Sequence, residues 1–229
     1  MKKKLIFIYI VAISLFLLSS CNNEKQPYLI YDSSLKDQEL VDSIIQRVPD
    51  SIYIEIEMNI QGSASEMILC KHNNIVMTKT ALADGIKVIS IYNYSSNKAY
   101  QYFEGENLTV EEKTYGMELS LTDDEIKKGI DYHFRTLDDI GDVIKAYETE
   151  YNTKKAVYIK SSYYYESSEL IFEIYLSIDY SYPLYLLSTV DGKDTVEMIV
   201  TNIDTEYVFS DTYPDIPDII EFVNYDNYE

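Results

Sequence analysis

His72 and His133 are the two histidines of the chain, so any imidazole chemistry would have to run through them. A zinc site draws three or four ligands from His, Cys and carboxylates, and neither an H-E-x-x-H nor a C-x-x-C pattern occurs. His72 sits in the polar run Lys71-His72-Asn73-Asn74 and reads as a solvated loop residue. His133 falls in a helical passage and reads as a surface or boundary residue. No G-x-S-x-G elbow, S-x-x-K nucleophile motif or phosphate-binding glycine loop is present. Asp123-Asp124-Glu125 could be metal ligands, but the same acids suit the first turn of a helix against its dipole. Asp138-Asp139 reads the same way at the start of a further helix. Asp211, Asp215, Asp218, Glu221 and Asp226 lack the spacing of a calcium loop and read as a solvated edge. Two glycosidase carboxylates could hide among 39 acids without any spacing to expose them. Cys70, in Met67-Ile68-Leu69-Cys70, reads as a small buried hydrophobe. The expectation is a non-enzyme with no cofactor and no metal.

Tyrosine is the other residue type with chemical potential: 24 Tyr against no Trp. Such rings could line a pocket, giving acyl chains apolar faces and headgroups a phenol. Tyr is also an ordinary strand residue, and that reading covers most of them. Tyr100 and Tyr102 share a strand face, while Tyr163-Tyr164-Tyr165 must divide between two faces. A few exposed tyrosines could serve as an aromatic platform for glycans.

The N-terminus carries the strongest local signal. Lys2, Lys3 and Lys4 precede an uncharged run from Leu5 to Leu18. That run is short for a membrane span, which needs about 20 residues, and suits a signal-peptide core. It ends in Leu18-Ser19-Ser20-Cys21, which looks like a bacterial lipobox. The resemblance implies cleavage before Cys21 and acylation of its thiol; two or more acyl chains hold a protein stably on a membrane. Residues 1–20 are then a lipoprotein signal peptide, 21–31 a lipidated tether and 32–229 a single domain. The expected location is the cell envelope, on the outer face of the cytoplasmic membrane or, in a cell with two membranes, on an outer membrane. Loss of residues 1–20 removes three lysines and no acid from a chain whose formal charge is already −20. Anionic headgroups would repel such a domain, so attachment falls to the acyl chains on Cys21. The same charge excludes nucleic acid, which requires clustered Lys and Arg. The chain is expected to be monomeric.

Leu35, Leu40, Val41, Ile44, Ile45 and Val48 predict a helix over 35–48, with Asp32, Ser33 and Ser34 as candidate caps and Pro49 as its stop. Ile52, Ile54, Ile56, Met58 and Ile60 alternate with polar residues and predict a half-buried strand. Strands are predicted at 66–71, 74–80, 86–93, 98–104 and 108–114, then at 156–164, 169–179, 184–190, 195–203 and 206–209. Between them, Thr122 and Glu125 form a capping box, and Ile140, Val143, Ile144 and Tyr147 predict a helix over 138–150. Asp191-Gly192 between apolar runs is a hairpin signal. Ile219, Ile220, Phe222 and Val223 predict a final docked helical turn. The fold class is α+β: a curved, mostly antiparallel half-barrel sheet of about 10–11 strands with helices on its concave face.

Several stretches carry a resemblance: the helix-to-strand entry Leu40–Ile60, Asp84-Gly85 through Tyr100-Gln101-Tyr102, Tyr182-Pro183-Leu184-Tyr185, and the hairpin at Asp191-Gly192-Lys193 with Thr195–Ile203. On these the chain resembles the LolA-like lipoprotein-carrier superfamily, nearest to its lipid-anchored members such as LolB, LppX and LprG. The resemblance implies a half-barrel that binds or transfers a lipid or other hydrophobic ligand at the envelope. No individual cavity residue carries over. The alternative is a non-catalytic envelope interaction protein that binds protein or glycan through an exposed sheet face.

Overall fold

The structure is a computed structural model that describes residues 27–82, 85–138, 140–165 and 167–226. The expected signal peptide, Cys21 and the first part of the tether lie outside these residues. The chain opens with β1 (Leu29–Ile30), α1 (Asp37–Asp42) and β2 (Ile45–Gln46), the two strands pairing as a small sheet. Five strands follow: β3 (Ser51–Ile60), β4 (Ser63–His72), β5 (Ile75–Ala81), β6 (Lys87–Asn93) and β7 (Lys98–Glu104). Next come α2 (Val110–Thr114), β8 (Tyr115–Ser120), α3 (Asp123–Lys128) and a 3-10 turn (Ile130–Phe134). The second half holds β9 (Asp142–Tyr151), β10 (Lys154–Tyr165), β11 (Ser168–Ser177), β12 (Pro183–Val190), β13 (Lys193–Asp204) and β14 (Glu221–Asn224). Together β3 to β14 form one open 12-stranded sheet, ordered β14-β8-β7-β6-β5-β4-β3-β13-β12-β11-β10-β9. It is antiparallel throughout except where β14 runs parallel to β8. This is the curved half-barrel expected. The two halves of the chain meet where β3 pairs with β13.

The alternation in β3 sends Ile52, Ile54 and Ile56 to one face, where they are at most 2% exposed. There they pack with Leu69, Val76, Tyr182 and Leu184 and are capped by Phe134 of the 3-10 turn. Farther along the same face, Leu40 of α1 packs on Val157, Ile159, Ile174 and Leu176. We call this the helical face. At the β9 edge, the Val143 N–H donates to Gln38 Oε1 at 3.3 Å and the Ala146 N–H to Asp37 Oδ1 at 2.9 Å. Two α1 side chains thereby occupy donors that would otherwise invite another strand.

Among the described residues, the reverse face is covered over half its width. After β13 the chain turns back and residues 205–220 cross β3 to β7 before β14 joins the far edge. Tyr207 stacks on Tyr53 with centroids 4.5 Å apart, Phe209 lies 4.8 Å from the His72 ring, and Phe222 meets Tyr100 at 5.1 Å. Ile216, Ile220 and Phe222 close the cluster around Ile89, Ile91 and Tyr102. A parallel strand needs a long crossover, and this segment supplies it. Gly116 makes the docking possible: a Cβ there would lie 2.5 Å from the Phe222 ring and 2.9 Å from Ile220 Cγ2. Gly116→Ala is expected to cost about 1–3 kcal/mol, as overpacking does. Urea denaturation checks this, and Phe222→Ala in the same background should recover part of the loss.

Several expectations are corrected. The helix over 35–48 contracts to Asp37–Asp42, with Lys36 rather than Asp32, Ser33 or Ser34 at its N-cap; Asp32 instead accepts hydrogen bonds from the Ser34 N–H and hydroxyl. The helix over 138–150 is strand β9. A register shift opposite Lys160/Ser161 inserts an extra residue, so the apolar positions recur at a spacing of three and imitate a helix. The strand over 108–114 is α2, whose Thr109 and Glu112 form a second capping box. Residues 206–209 form no strand, and the last helical turn is β14. The hairpin at Asp191-Gly192 is present, both residues having positive φ as a tight turn requires. The capping box of Thr122 and Glu125 is also present.

Candidate functional site

The residues singled out for acid–base or metal chemistry are dispersed and engaged in local structure. Glu125 caps α3, and Asp124 pairs with Lys128 at 2.9 Å one turn on. Asp138 is exposed and starts no helix; Asp139 is outside the described residues. Asp215 accepts from the Ser210 and Thr212 hydroxyls, and Asp226 from the Ser120 N–H and hydroxyl, which holds both carboxyls below their usual range. Among the described residues, no group of three or more His, Cys, Asp and Glu could hold a metal ion. Cys70 is buried, and burial pushes its thiol up to about 12, where it is a poor nucleophile.

Both histidines are more engaged than expected. His72 ends β4 partly buried, with Nδ1 2.8 Å from the Ser51 hydroxyl and its ring against Phe209 and Tyr213. His133 lies in the 3-10 turn, with Nε2 2.8 Å from the Tyr94 hydroxyl and its ring between Tyr92 and Tyr132. Burial lowers its pKa, opposed weakly by the Glu125 charge. The folded protein therefore resists protonating His133 where the unfolded chain takes the proton, so stability falls as pH drops below about 6.5. The fall ends at the lower folded pKa. Denaturant midpoints taken from pH 7 downward should show this slope, and His133→Gln should flatten it.

A different set of residues converges on the uncovered half of the reverse face. Tyr147 of β9 pairs with Tyr158 of β10, Tyr158 with Tyr175 of β11, and Tyr175 with Tyr185 of β12. Direct partners share a face, so these tyrosines form a row across adjacent strands. Successive ring centroids are 5.1, 5.1 and 6.0 Å apart, and Tyr151 flanks the row 4.8 Å from Tyr175. Tyr158 is 9% exposed, and the others are partly buried. The Tyr185 hydroxyl donates to Glu197 at 3.2 Å. Burial, with Glu173 and Glu197 adding to it, pushes the Tyr158 and Tyr185 hydroxyls up to about 12. They stay protonated donors at neutral pH and carry no acid–base chemistry. Lys160 is paired with Glu173 at 2.8 Å, and Lys145 Nζ sits 5.0 Å over the Tyr147 ring.

The row continues without a break. Tyr185 pairs with Ile199 of β13, Ile199 with Glu57 of β3, and Glu57 with Glu66 of β4. Here the surface dips into a groove of about 500 Å³ lined by Glu57, Glu66, Glu197, Ile199, Ala81 and Leu82. Glu57 and Glu66 are exposed carboxylates directly opposite one another, an arrangement that costs stability. Glu66→Gln is expected to raise the unfolding free energy by about 0.2–1 kcal/mol; a lower melting temperature would contradict that.

A local signal for the row does exist in the sequence. Tyr158, Tyr175 and Tyr185 each stand between two aliphatic residues, in Val-Tyr-Ile, Ile-Tyr-Leu and Leu-Tyr-Leu. The aliphatics take the helical face and force the Tyr to the other. Of the tyrosines considered from sequence, Tyr100 and Tyr102 do share a face, and it is the one residues 205–220 cover. Tyr163, Tyr164 and Tyr165 are 47%, 67% and 61% exposed near the end of the β10–β11 hairpin.

No known protein family matches the chain, and no curated protein matches it. Among solved structures, that of PNGF-II matches with a TM-score of 0.41 and 11% identity, over 78% of this chain and 31% of the other. The Pseudomonas aeruginosa MucA/MucB complex matches with a TM-score of 0.47 and 15% identity, over 76% of this chain and 58% of the other. Both are distant likenesses of a β-rich fold. The chain spans less than two thirds of either. Among the described residues no helix is long and apolar enough to cross a membrane.

Proposed function

We propose that the chain is a non-catalytic interaction protein of the cell envelope, held by acyl chains on Cys21, that binds a partner through the reverse face of β9–β13. One observation carries this reading. The same sheet face that residues 205–220 cover over β3–β7 is left bare by the described residues over β9–β13, and the bare part bears an in-register row of tyrosines. Aromatic rings that combine an apolar body with a hydroxyl are favoured at binding surfaces. The lipobox and the short apolar run before it support the anchor.

The experiment is site-specific photocrosslinking in intact cells, with the crosslinker placed at Tyr147 or Leu187 on this face and at Val110 on α2 as a control. A discrete product from the first two positions and none from the third supports the reading. Products of equal yield from all three would sink it. The rival is the LolA-like carrier, favoured by the curved sheet with α1 and the 3-10 turn on one face. It requires an apolar space between them, whereas Phe134, Tyr182 and Leu40 pack there against the strands. Native mass spectrometry of the protein before and after solvent extraction separates the two: the carrier reading predicts an extractable adduct of lipid mass.

A further inference from the structure

The tyrosine row and the groove at its end form one continuous track across β9 to β4, and its two ends differ in chemistry. Resting on the interaction reading above, we infer that this track binds a basic, extended polypeptide segment of a partner protein, with Lys or Arg side chains on the tyrosine rings and in the groove of Glu57, Glu66 and Glu197. Three observations support that occupant.

Charge complementarity is the first. At the tyrosine end the cations are already engaged, Lys160 by Glu173 and Lys145 by the Tyr147 ring. At the groove end, no cation among the described residues pairs with Glu57, Glu66 or Glu197. These carboxylates are not grouped so as to hold a metal ion. Their charge awaits cations spread along a chain rather than concentrated in an ion. The overall charge of −20 would steer such a segment toward the protein.

Ring chemistry is the second. Tyrosine faces attract ammonium and guanidinium groups, and the described residues already use the contact three times. Lys128, Lys145 and Lys154 lie 4.5, 5.0 and 5.8 Å from the ring centroids of Tyr132, Tyr147 and Tyr180.

Shape is the third. The track crosses strands spaced about 4.8 Å apart and is far longer than a small amine. On the neighbouring half of the same face, residues 205–220 cross the strands by way of turns at Asp211-Thr212 and Asp218-Ile219 and are anchored by single side chains, Tyr207 on Tyr53 and Phe209 on His72. A partner segment on the bare half would use the same mode with the opposite charge.

The test titrates the full chain with an unstructured Arg/Ser/Gly peptide of about twelve residues, which spans the track when extended, and follows binding by calorimetry. Glu57→Gln/Glu66→Gln/Glu197→Gln should weaken binding about tenfold or more. These substitutions are near-isosteric and relieve like-charge repulsion, so the variant should fold. Glu106→Gln/Glu111→Gln/Asp218→Asn removes as many charges elsewhere and should change affinity by less than about twofold. Equal losses in the two variants would show general attraction to an acidic protein and overturn the inference, as would absence of binding. Binding of a neutral oligosaccharide that survives the glutamine variant but is lost in Tyr158→Ser/Tyr175→Ser would overturn the polypeptide occupant while leaving the sheet-face reading intact. Failure of that reading itself would show in the crosslinking.

Discussion

Replacing Phe134 by Ala is expected to lower the unfolding free energy by about 3–5 kcal/mol, the range for truncating a buried aromatic. Phe134 is 2% exposed and closes the helical face over Ile52, Ile54, Leu69 and Val76, edge-on to Tyr182 with centroids 6.3 Å apart. Removing the ring leaves a space that the surrounding strands cannot close, because their backbones are tied into the sheet on both sides. The loss should appear as a lower urea midpoint with the slope unchanged. A change below about 1 kcal/mol would mean that the 3-10 turn is not packed as described.

Asp131→Asn, three residues earlier, is expected to cost about 3 kcal/mol, the lower end of the range for breaking a buried ion pair. Lys71 extends from β4 into the helical face with its side chain 5% exposed, and its ammonium meets Asp131 Oδ1 at 2.7 Å. Neutralising Asp131 strands a buried positive charge. The figure sits at the low end because Asp131 is 37% exposed, so water can reach the ammonium from that side. Lys71→Met combined with Asp131→Asn should recover most of the loss, since an apolar replacement of such a pair is often neutral. A double variant as unstable as the single one would show that the charge is not what matters. Because Phe134 and Asp131 fix the same short turn, their combined effect should fall short of the sum.

Both predictions concern residues whose importance the sequence does not display. Phe134 stands in a polar stretch, and Lys71 is the last residue of a predicted strand, where a charged side chain reads as solvated. The β3 strand is different: nine residues of strict alternation allow only one face to be buried, and the structure agrees to within a residue at the start. Capping boxes are equally local, because the cap and its glutamate are three residues apart in any fold; Thr122 and Thr109 are both legible on that basis. The β9 strand is not, because a bulge against β10 displaces its apolar residues into a helical spacing. That partner lies beyond the window in which periodicity is read.

What depends on near neighbours is legible without the fold: the β3 alternation, the Asp191-Gly192 hairpin, the Thr122 cap, the acidity, and an N-terminal run leading to Cys21 that carries the lipidation expectation. Alternation also sets Tyr158, Tyr175 and Tyr185 against their aliphatic neighbours, face against face. That these rings stand in one row follows from the fold, since cross-strand register is set by pairing between residues far apart in the chain. The fold alone places residues 205–220 over one half of a sheet face and not over the other. Whether a surface is covered depends on where the chain returns, and the burial of the Ile89, Ile91 and Tyr102 cluster under Phe222 is what draws it there.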